Sequence, residues 1–199
     1  MRLRILQYGS PVLRAKGRRI DQIDDHVRQL AADMIETMRE AKGVGLAAQQ
    51  IGEAVQLTVL DVSQVEDRPS TLKLNGQVVD PRAASPLVLI NPEIELGSET
   101  SLGLEGCLSF PDITGELERS DLVRARAQLL DGNEVELEAT GLFARALQHE
   151  VDHLNGILFI DRMNSAAKVA LASRLKRMQK ETERHLRRNR RALEPEAAL

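Results

Sequence analysis

The chain has 199 residues, 42% hydrophobic and 29% charged, with a formal net charge of −3. This balance fits a folded domain with a real core and excludes a disordered or fibrous chain. Aromatics are 2% with no Trp, which excludes stacking platforms for single-stranded nucleic acid, and the single Cys excludes an internal disulfide and fits a reducing compartment.

No apolar run approaches the ~18 residues of a membrane span. Met1 to Ile20 carries Arg2, Arg4, Arg14, Lys16, Arg18 and Arg19 without an acid, superficially like a transit peptide. The Gly9-Ser10-Pro11 turn breaks any amphipathic helix there, so the segment reads as structural, with Leu3 to Tyr8 a short strand. From Asp24 to Lys42 the spacing of Ile23, Val27, Leu30, Met34 and Met38 predicts a helix, with Asp24 and Asp25 at its cap and Gly43 at its stop. His26 in its first turn reads as a solvated surface residue.

Gly43 to Gln50 holds two glycines and two alanines and reads locally as a helix end and packed turn, where backbone can approach something closely. Val55 to Val62 reads as a strand. Ser63 to Pro86 is a polar surface excursion with a small hairpin. Leu87 to Ile90 and Ile94 to Leu96 read as short strands around Asn91-Pro92. Leu122 to Leu130 alternates, and Asp131-Gly132-Asn133 turns it into a return arm of Val135 and Leu137 against Glu134, Glu136 and Glu138. Arginines 124 and 126 face those glutamates and can pair with them across the hairpin.

Thr140 is the expected N-cap of a central helix, with Leu142, Ala146, His149 and His153 along one face. Ile157 to Met163 reads as a short exit segment. Val169 to His185 is a second amphipathic helix that runs into the basic stretch from Arg184 to Arg191, and Glu194-Pro195-Glu196 reads as disordered. Residues 165–199 hold ten Lys or Arg against four acids, while the other 164 residues hold 17 bases and 26 acids. An acidic body with a basic tail has two readings: a solvated helix packed on the body, or a contact with phosphate-bearing RNA. The expected division is a catalytic body, 1–164, with the 165–199 helix and tail in the same domain.

His149-Glu150-Val151-Asp152-His153 is an H-E-x-x-H pattern. Positions i and i+4 share one face of a helix, so two imidazoles can reach one ion at about 2.0–2.1 Å, with the glutamate beside it as general base. The competing reading is a solvated surface helix. A catalytic ion usually has three protein ligands. A metalloprotease would place a third histidine where Phe159 stands, and Glu181 or Glu183 lies in the basic tail at an awkward distance. Cys107 offers a thiolate ligand; its alternative is a small buried hydrophobe.

Three ordered motifs resemble the peptide deformylases: Gly43-Val44-Gly45-Leu46-Ala47-Ala48-Gln49-Gln50, Glu105-Gly106-Cys107-Leu108-Ser109, and Gln148-His149-Glu150-Val151-Asp152-His153. The resemblance extends through Pro11 to Arg14, Asn91-Pro92 and Leu158 to Arg162. It implies an α+β fold with antiparallel sheets packed around a central metal-binding helix, followed by a C-terminal helix. It implies removal of the formyl group from N-terminal formyl-methionine of new polypeptides in the cytoplasm, releasing formate. Cys107, His149 and His153 would hold ferrous iron, replaceable by zinc or nickel. Hydroxide formed at the ion would attack the formyl carbon, with Glu150 as general base and then acid. Gln50 and the Leu108 N–H would stabilise the oxyanion. Gly45 and Gly106 would flank the extended substrate. Val44, Leu142 and Ala146 would line the methionine pocket. Glu105 and Gln148 would orient the ligands. The substrates are nascent formylated peptides, the basic helix is a candidate ribosome contact, and neither DNA nor membrane is an expected partner.

Three features depart from the family. Where relatives have an arginine after the cysteine motif, this chain reads Asp112-Ile113-Thr114-Gly115, and the first arginine is Arg119. The 63–86 excursion is long. Arg145 stands where some relatives have an aliphatic residue near the pocket, its charge expected to reach solvent.

Overall fold

The structure is a computed structural model and describes residues 1–193. After a 3-10 turn at Pro11–Arg14 come α1 (Asp25–Glu40), β1 (Gly45–Ala47), a 3-10 turn (Ala48–Ile51) and β2 (Leu57–Leu60). Then follow β3 (Leu72–Leu74), β4 (Gln77–Val79), β5 (Leu87–Leu96), β6 (Thr100–Gly106), β7 (Thr114–Ser120), β8 (Leu122–Gln128) and β9 (Glu134–Thr140). The chain ends in α2 (Gly141–Leu154), α3 (Phe159–Arg162) and α4 (Ser165–Leu193). The expectation for Glu194 to Glu196 lies outside the described residues.

Seven strands form one antiparallel sheet in the order β1-β2-β5-β8-β9-β3-β4, and β6 and β7 form a separate pair. Strand alternation sends side chains to opposite faces. Leu57, Val59, Val88 and Ile90 meet α1 through Val27, Met34 and Met38. Leu60, Leu87 and Leu89 meet α2 through Phe143, Leu147 and Val151. The sheet therefore lies between two helices, and α2 is buried from Leu142 to Leu154. A third cluster joins Leu13, Phe110, Phe159 and Met163 to Leu171, Leu175 and Met178 of α4.

Several local expectations hold. Asp24 caps α1, its side chain accepting from Val27 N at 2.9 Å. The excursion does contain a hairpin, β3–β4, but β3 also pairs with β9 and so extends the main sheet. Arg124 pairs with Glu138 and Arg126 with Glu136 across the β8–β9 hairpin.

Others are corrected. Leu3 to Tyr8 is not a strand: its N–H groups go singly to Thr37 Oγ1, Gln50 O and Ser109 O, so it is tied down without a ladder. The two short strands around Asn91-Pro92 are one strand, β5, with a register shift between Ile90 and Glu93. Asn91 sits at φ 52°, and its side chain accepts from Ile20 N and donates to Ile20 O, which holds that irregularity in place. Thr140 makes no capping bond through its side chain to α2; Ser70, from the excursion, accepts from Phe143 N at 2.9 Å instead. The β6–β7 pair was not anticipated.

Candidate metal centre

Cys107 follows the end of β6, and α2 brings His149 and His153 to it from one face. One ligand atom from each of the three lies within 4.8 Å of the others. Cys107 Sγ is 3.2 Å from His153 Nε2, and the two imidazole rings are 5.1 Å apart. His149 and His153 are buried, and Cys107 is half-buried.

The His149 Nδ1 edge faces Glu105 Oε2 at 3.0 Å, which leaves Nε2 for the cluster. His153 Nδ1 is buried without a partner among the described residues. Burial disfavours charge on both rings. At His149, Cys107 and Glu105 overcome burial and draw positive charge onto the ring. Burial and the positive charge at His149 keep His153 neutral. The three donor atoms converge, and a thiolate with two imidazoles suits a divalent transition ion. The residues fit such an ion.

Glu150 is 4% exposed, and its Oε2 has no hydrogen-bond partner among the described residues. Burial pushes its carboxyl up to about 7. An adjacent cation would draw it back down. Gly45 packs directly on this carboxylate: a Cβ there would stand 2.8 Å from Glu150 Cδ and Cγ. The absence of bulk at Gly45 thus has a structural cause beyond any approach of a substrate.

Glu105 is the hub behind His149. Its Oε1 accepts from Arg119 Nε at 2.9 Å and Arg145 Nη1 at 3.0 Å, and its Oε2 from Arg119 Nη2 at 3.0 Å. Burial alone would raise its pKa, but bonds to His149 and Arg119 hold it down at about 2. Arg119 continues to Asp152, which also pairs with Arg162. Sequence reasoning missed Arg119 and Asp152 as a buried charge pair, with the exposed Arg162 at its edge. Arg119 does not line the cavity beside the cluster, whereas Thr114 does. Arg145 also departs from expectation, being buried with its guanidinium on Glu105 and two carbonyls. Gln148 makes no hydrogen bond to Cys107, His149 or His153 among the described residues. It bonds Ser120 N, Ser120 O and Ala144 O, tying α2 to β7.

A cavity of about 480 Å³ opens onto the cluster. Val44, Gly45, Gln50, Gly106, Leu108, Leu142, Ala146 and Glu150 all line it, with Cys107 and His149. His153 lies beneath, 1% exposed. Gln50 Oε1 accepts from Ala47 N at 2.8 Å, so its Nε2 points to Ser109 Oγ at 3.3 Å and Cys107 Sγ at 3.6 Å. The Leu108 N–H has no acceptor among the described residues. Lys42, Arg68 and Asp112 add charge to the lining, Arg68 coming from the excursion.

Residues 2–169 match the polypeptide deformylase family. The chain is 46% identical over 184 residues to the peptide deformylase of Opitutus terrae, covering 92% of this chain and 95% of that one. It is 47% identical over 159 residues to the peptide deformylase of Thermomicrobium roseum, covering 80% and 84% respectively. The fold is similar to crystal structures of two relatives. For peptide deformylase from Thermotoga maritima the TM-score is 0.70 at 39% identity, covering 82% of this chain and 99% of that one. For Arabidopsis thaliana peptide deformylase 1B with an inhibitor it is 0.79 at 33% identity, covering 92% and 93%. With the family matched over residues 2–169, the chain belongs to the peptide deformylases.

Proposed function

We propose that this cavity receives the formyl-methionine end of a newly made polypeptide and that the residues around it hydrolyse the formyl amide. The observation that carries this reading is the convergence of Cys107, His149 and His153 beside a buried, unpaired Glu150. A divalent ion held by those three would supply Lewis acidity and bring the pKa of water from ~15.7 towards ~7. Ferrous iron is the proposed ion, with zinc or nickel able to replace it.

Glu150 takes the proton of the attacking water and then delivers it to the leaving nitrogen. The new C–O bond forms at the formyl carbon, the C–N bond breaks, and formate leaves a free amino terminus. Gln50 Nε2 and the Leu108 N–H are the donors for the developing oxyanion, supported by the fixed amide of Gln50 and the unused N–H of Leu108. The backbone at Gly45 and Gly106 flanks the extended substrate. Val44, Leu142 and Ala146 hold the methionine side chain. Glu105 orients His149.

Residues 165–199 are read as part of the same domain, since α4 packs on the third cluster. Among the described residues no helix is long and apolar enough to cross a membrane. A cytoplasmic site of action suits a nascent-chain substrate. The exposed Lys176, Arg177, Lys180, Arg184, Arg187 and Arg188 of α4 are the proposed contact with ribosomal RNA.

The test is formate release from a formyl-Met dipeptide by anaerobically prepared, iron-loaded protein, with and without a chelator, against the acetylated dipeptide. Formate from the formyl peptide alone, lost on chelation, is expected. Cleavage between methionine and the next residue, without formate, would overturn the reading.

A further inference from the structure

The cavity changes character from floor to mouth. Deep inside, charge is matched: Glu105 pairs with Arg119 and Arg145, and all three are buried. At the mouth, the exposed charged residues of the lining are Lys42, Arg68 and Asp112. Asp112 has Arg174 at 4.0 Å. Lys42 and Arg68 make no ion pair among the described residues. Acids near them in sequence are engaged elsewhere or lie off the cavity: Glu40 pairs with Arg2, Glu66 with Arg82, and Asp67 is not part of the lining. Two cations thus stand at one mouth, in a body that carries more acids than bases.

Backbone fixes both of them there. Lys42 follows α1 and sits at φ 57°, in the left-handed region that glycine enters without the Cβ clash a lysine bears. Its N–H donates to Arg39 O at 3.0 Å, and the next N–H, of Gly43, to Met38 O at 2.9 Å. The run from Lys42 to Gly45 lines the cavity throughout. Arg68 comes from the 63–86 excursion, and the two residues after it are anchored on the first turn of α2. Pro69 O accepts from Leu142 N at 3.4 Å, and Ser70 Oγ from Phe143 N at 2.9 Å. Gly141, at φ 64°, makes this approach possible, since a Cβ there would stand 2.1 Å from Pro69 O. Lys42 therefore stands on the α1 side of the mouth and Arg68 on the α2 side.

We propose that Lys42 and Arg68 form a carboxylate-reading collar, which makes the enzyme prefer formyl peptides that carry an aspartate or glutamate shortly after the methionine. This deepens, and rests on, the reading of the cavity as a formyl-methionine site. A chain bound extended along Gly45 advances about 3.3 Å per residue, so a side chain two or three residues on lies about 7–10 Å from the methionine, at the mouth. Cations there act on encounter and binding, and not on the bond that breaks. Their effect belongs in KM and is screened by salt. A lysine after α1 also complements the dipole at the helix C-terminus, but that role alone creates no preference among substrates.

The experiment compares formyl-Met-Ala-Glu-Ala, formyl-Met-Ala-Gln-Ala and formyl-Met-Ala-Lys-Ala. All three have amidated C-termini, so the glutamate side chain is the one carboxylate offered. At low salt, wild type is expected to favour Glu over Gln by about two- to fivefold in kcat/KM, and Gln over Lys by a similar factor. The difference should lie in KM and vanish at high salt. Lys42→Gly combined with Arg68→Gln should bring both ratios to about one, and glycine suits the left-handed position, so the fold is kept. Lys42→Glu combined with Arg68→Glu should invert the order. The same peptides, titrated calorimetrically into metal-loaded Glu150→Gln protein, should rank alike in Kd. A wild-type Glu-to-Gln ratio of one at low salt overturns the proposal. So do unchanged ratios in the double variants, or a preference carried by kcat. A glutamate preference in Kd with no formate released from any peptide by wild type would leave the collar standing and defeat the catalytic reading instead.

Discussion

Helices α2 and α4 are both amphipathic and both carry charge, yet they use it in opposite ways. In α2 every residue from Leu142 to Leu154 is buried, including Arg145, Glu150 and Asp152. In α4 the described side chains are exposed or half-buried, and only a stripe through Ala167, Leu171, Leu175 and Met178 touches the core. Charge inside α2 is held in place by β6 and β7, whose Glu105 and Arg119 reach into it. Charge on α4 faces water. The first arrangement fixes atoms for chemistry, and the second leaves a field available to partners.

Glu150→Gln tests the contrast most severely, because Glu150 is the buried charge of α2 with a carboxylate oxygen left unpaired among the described residues. The amide keeps the shape and cannot carry a proton. Deformylation measured by formate release should fall about 10²–10⁴-fold, with the fold intact by circular dichroism. Wild-type turnover in the variant would remove Glu150 from the proton path.

Arg119→Met should show the largest loss of stability. Arg119 is 3% exposed in its side chain and neutralises both Glu105 and Asp152. Removing it leaves Glu105 with Arg145 and His149 and Asp152 with Arg162, so two buried carboxylates share one positive charge fewer, at a cost of about 3–5 kcal/mol. Chemical denaturation should record that loss, and thermal melting a drop on the order of 10 °C. A change below about 1 kcal/mol would mean that solvent reaches the network.

Asp161 stands between the two helices and gives a smaller, pH-dependent effect. Arg14 bonds it, Leu158 N–H donates to it, and Lys168 of α4 reaches its backbone carbonyl. Burial raises its pKa, but the Arg14 bond, the Leu158 amide and the nearby positive charges outweigh that and lower it. A lowered carboxyl stabilises the fold fully above its unfolded value, about 3.9, and loses that contribution as pH falls through the folded one. Asp161→Asn should therefore be less stable than wild type at pH 7 by under ~1 kcal/mol, since the pair is partly exposed. The gap should begin to narrow as pH falls below that unfolded value and close only below the lowered folded one, read as converging denaturation midpoints.

Much of this was legible in the sequence. Two histidines four apart on a helix and a single cysteine in a glycine-flanked motif pointed to the cluster of Cys107, His149 and His153, since helical spacing converts directly into a shared face. The β8–β9 hairpin was legible from strict alternation and its Asp131-Gly132-Asn133 turn. Strands β6 and β7 were not, because Leu102 and Leu104 of β6 are 72% and 59% exposed and β7 offers one core residue, Leu117, too little for a pattern. Leu3 to Tyr8 has strand-like residues, but no strand is available to complete a ladder. The Arg119–Asp152 pair joins residues 33 apart, and local spacing gives no signal for it. Arg145 shows the same blindness: a mid-helix arginine reads as solvated until Gly103 is found beneath it.

The smallest effect is expected where α4 carries its charge. Arg177 and Lys180 are exposed and three residues apart, so they share the outer face. Reversing both to glutamate touches no buried group, and each change should stay within about 0.5 kcal/mol of wild-type stability. Turnover of a formyl-Met dipeptide should not change, because neither side chain lines the cavity. What should change is association with ribosomes in co-sedimentation: weaker at low salt, with a shallower dependence on salt concentration as phosphate contacts are lost. Altered dipeptide turnover would show that α4 communicates with the centre, and unaltered ribosome binding would remove its basic face from that role.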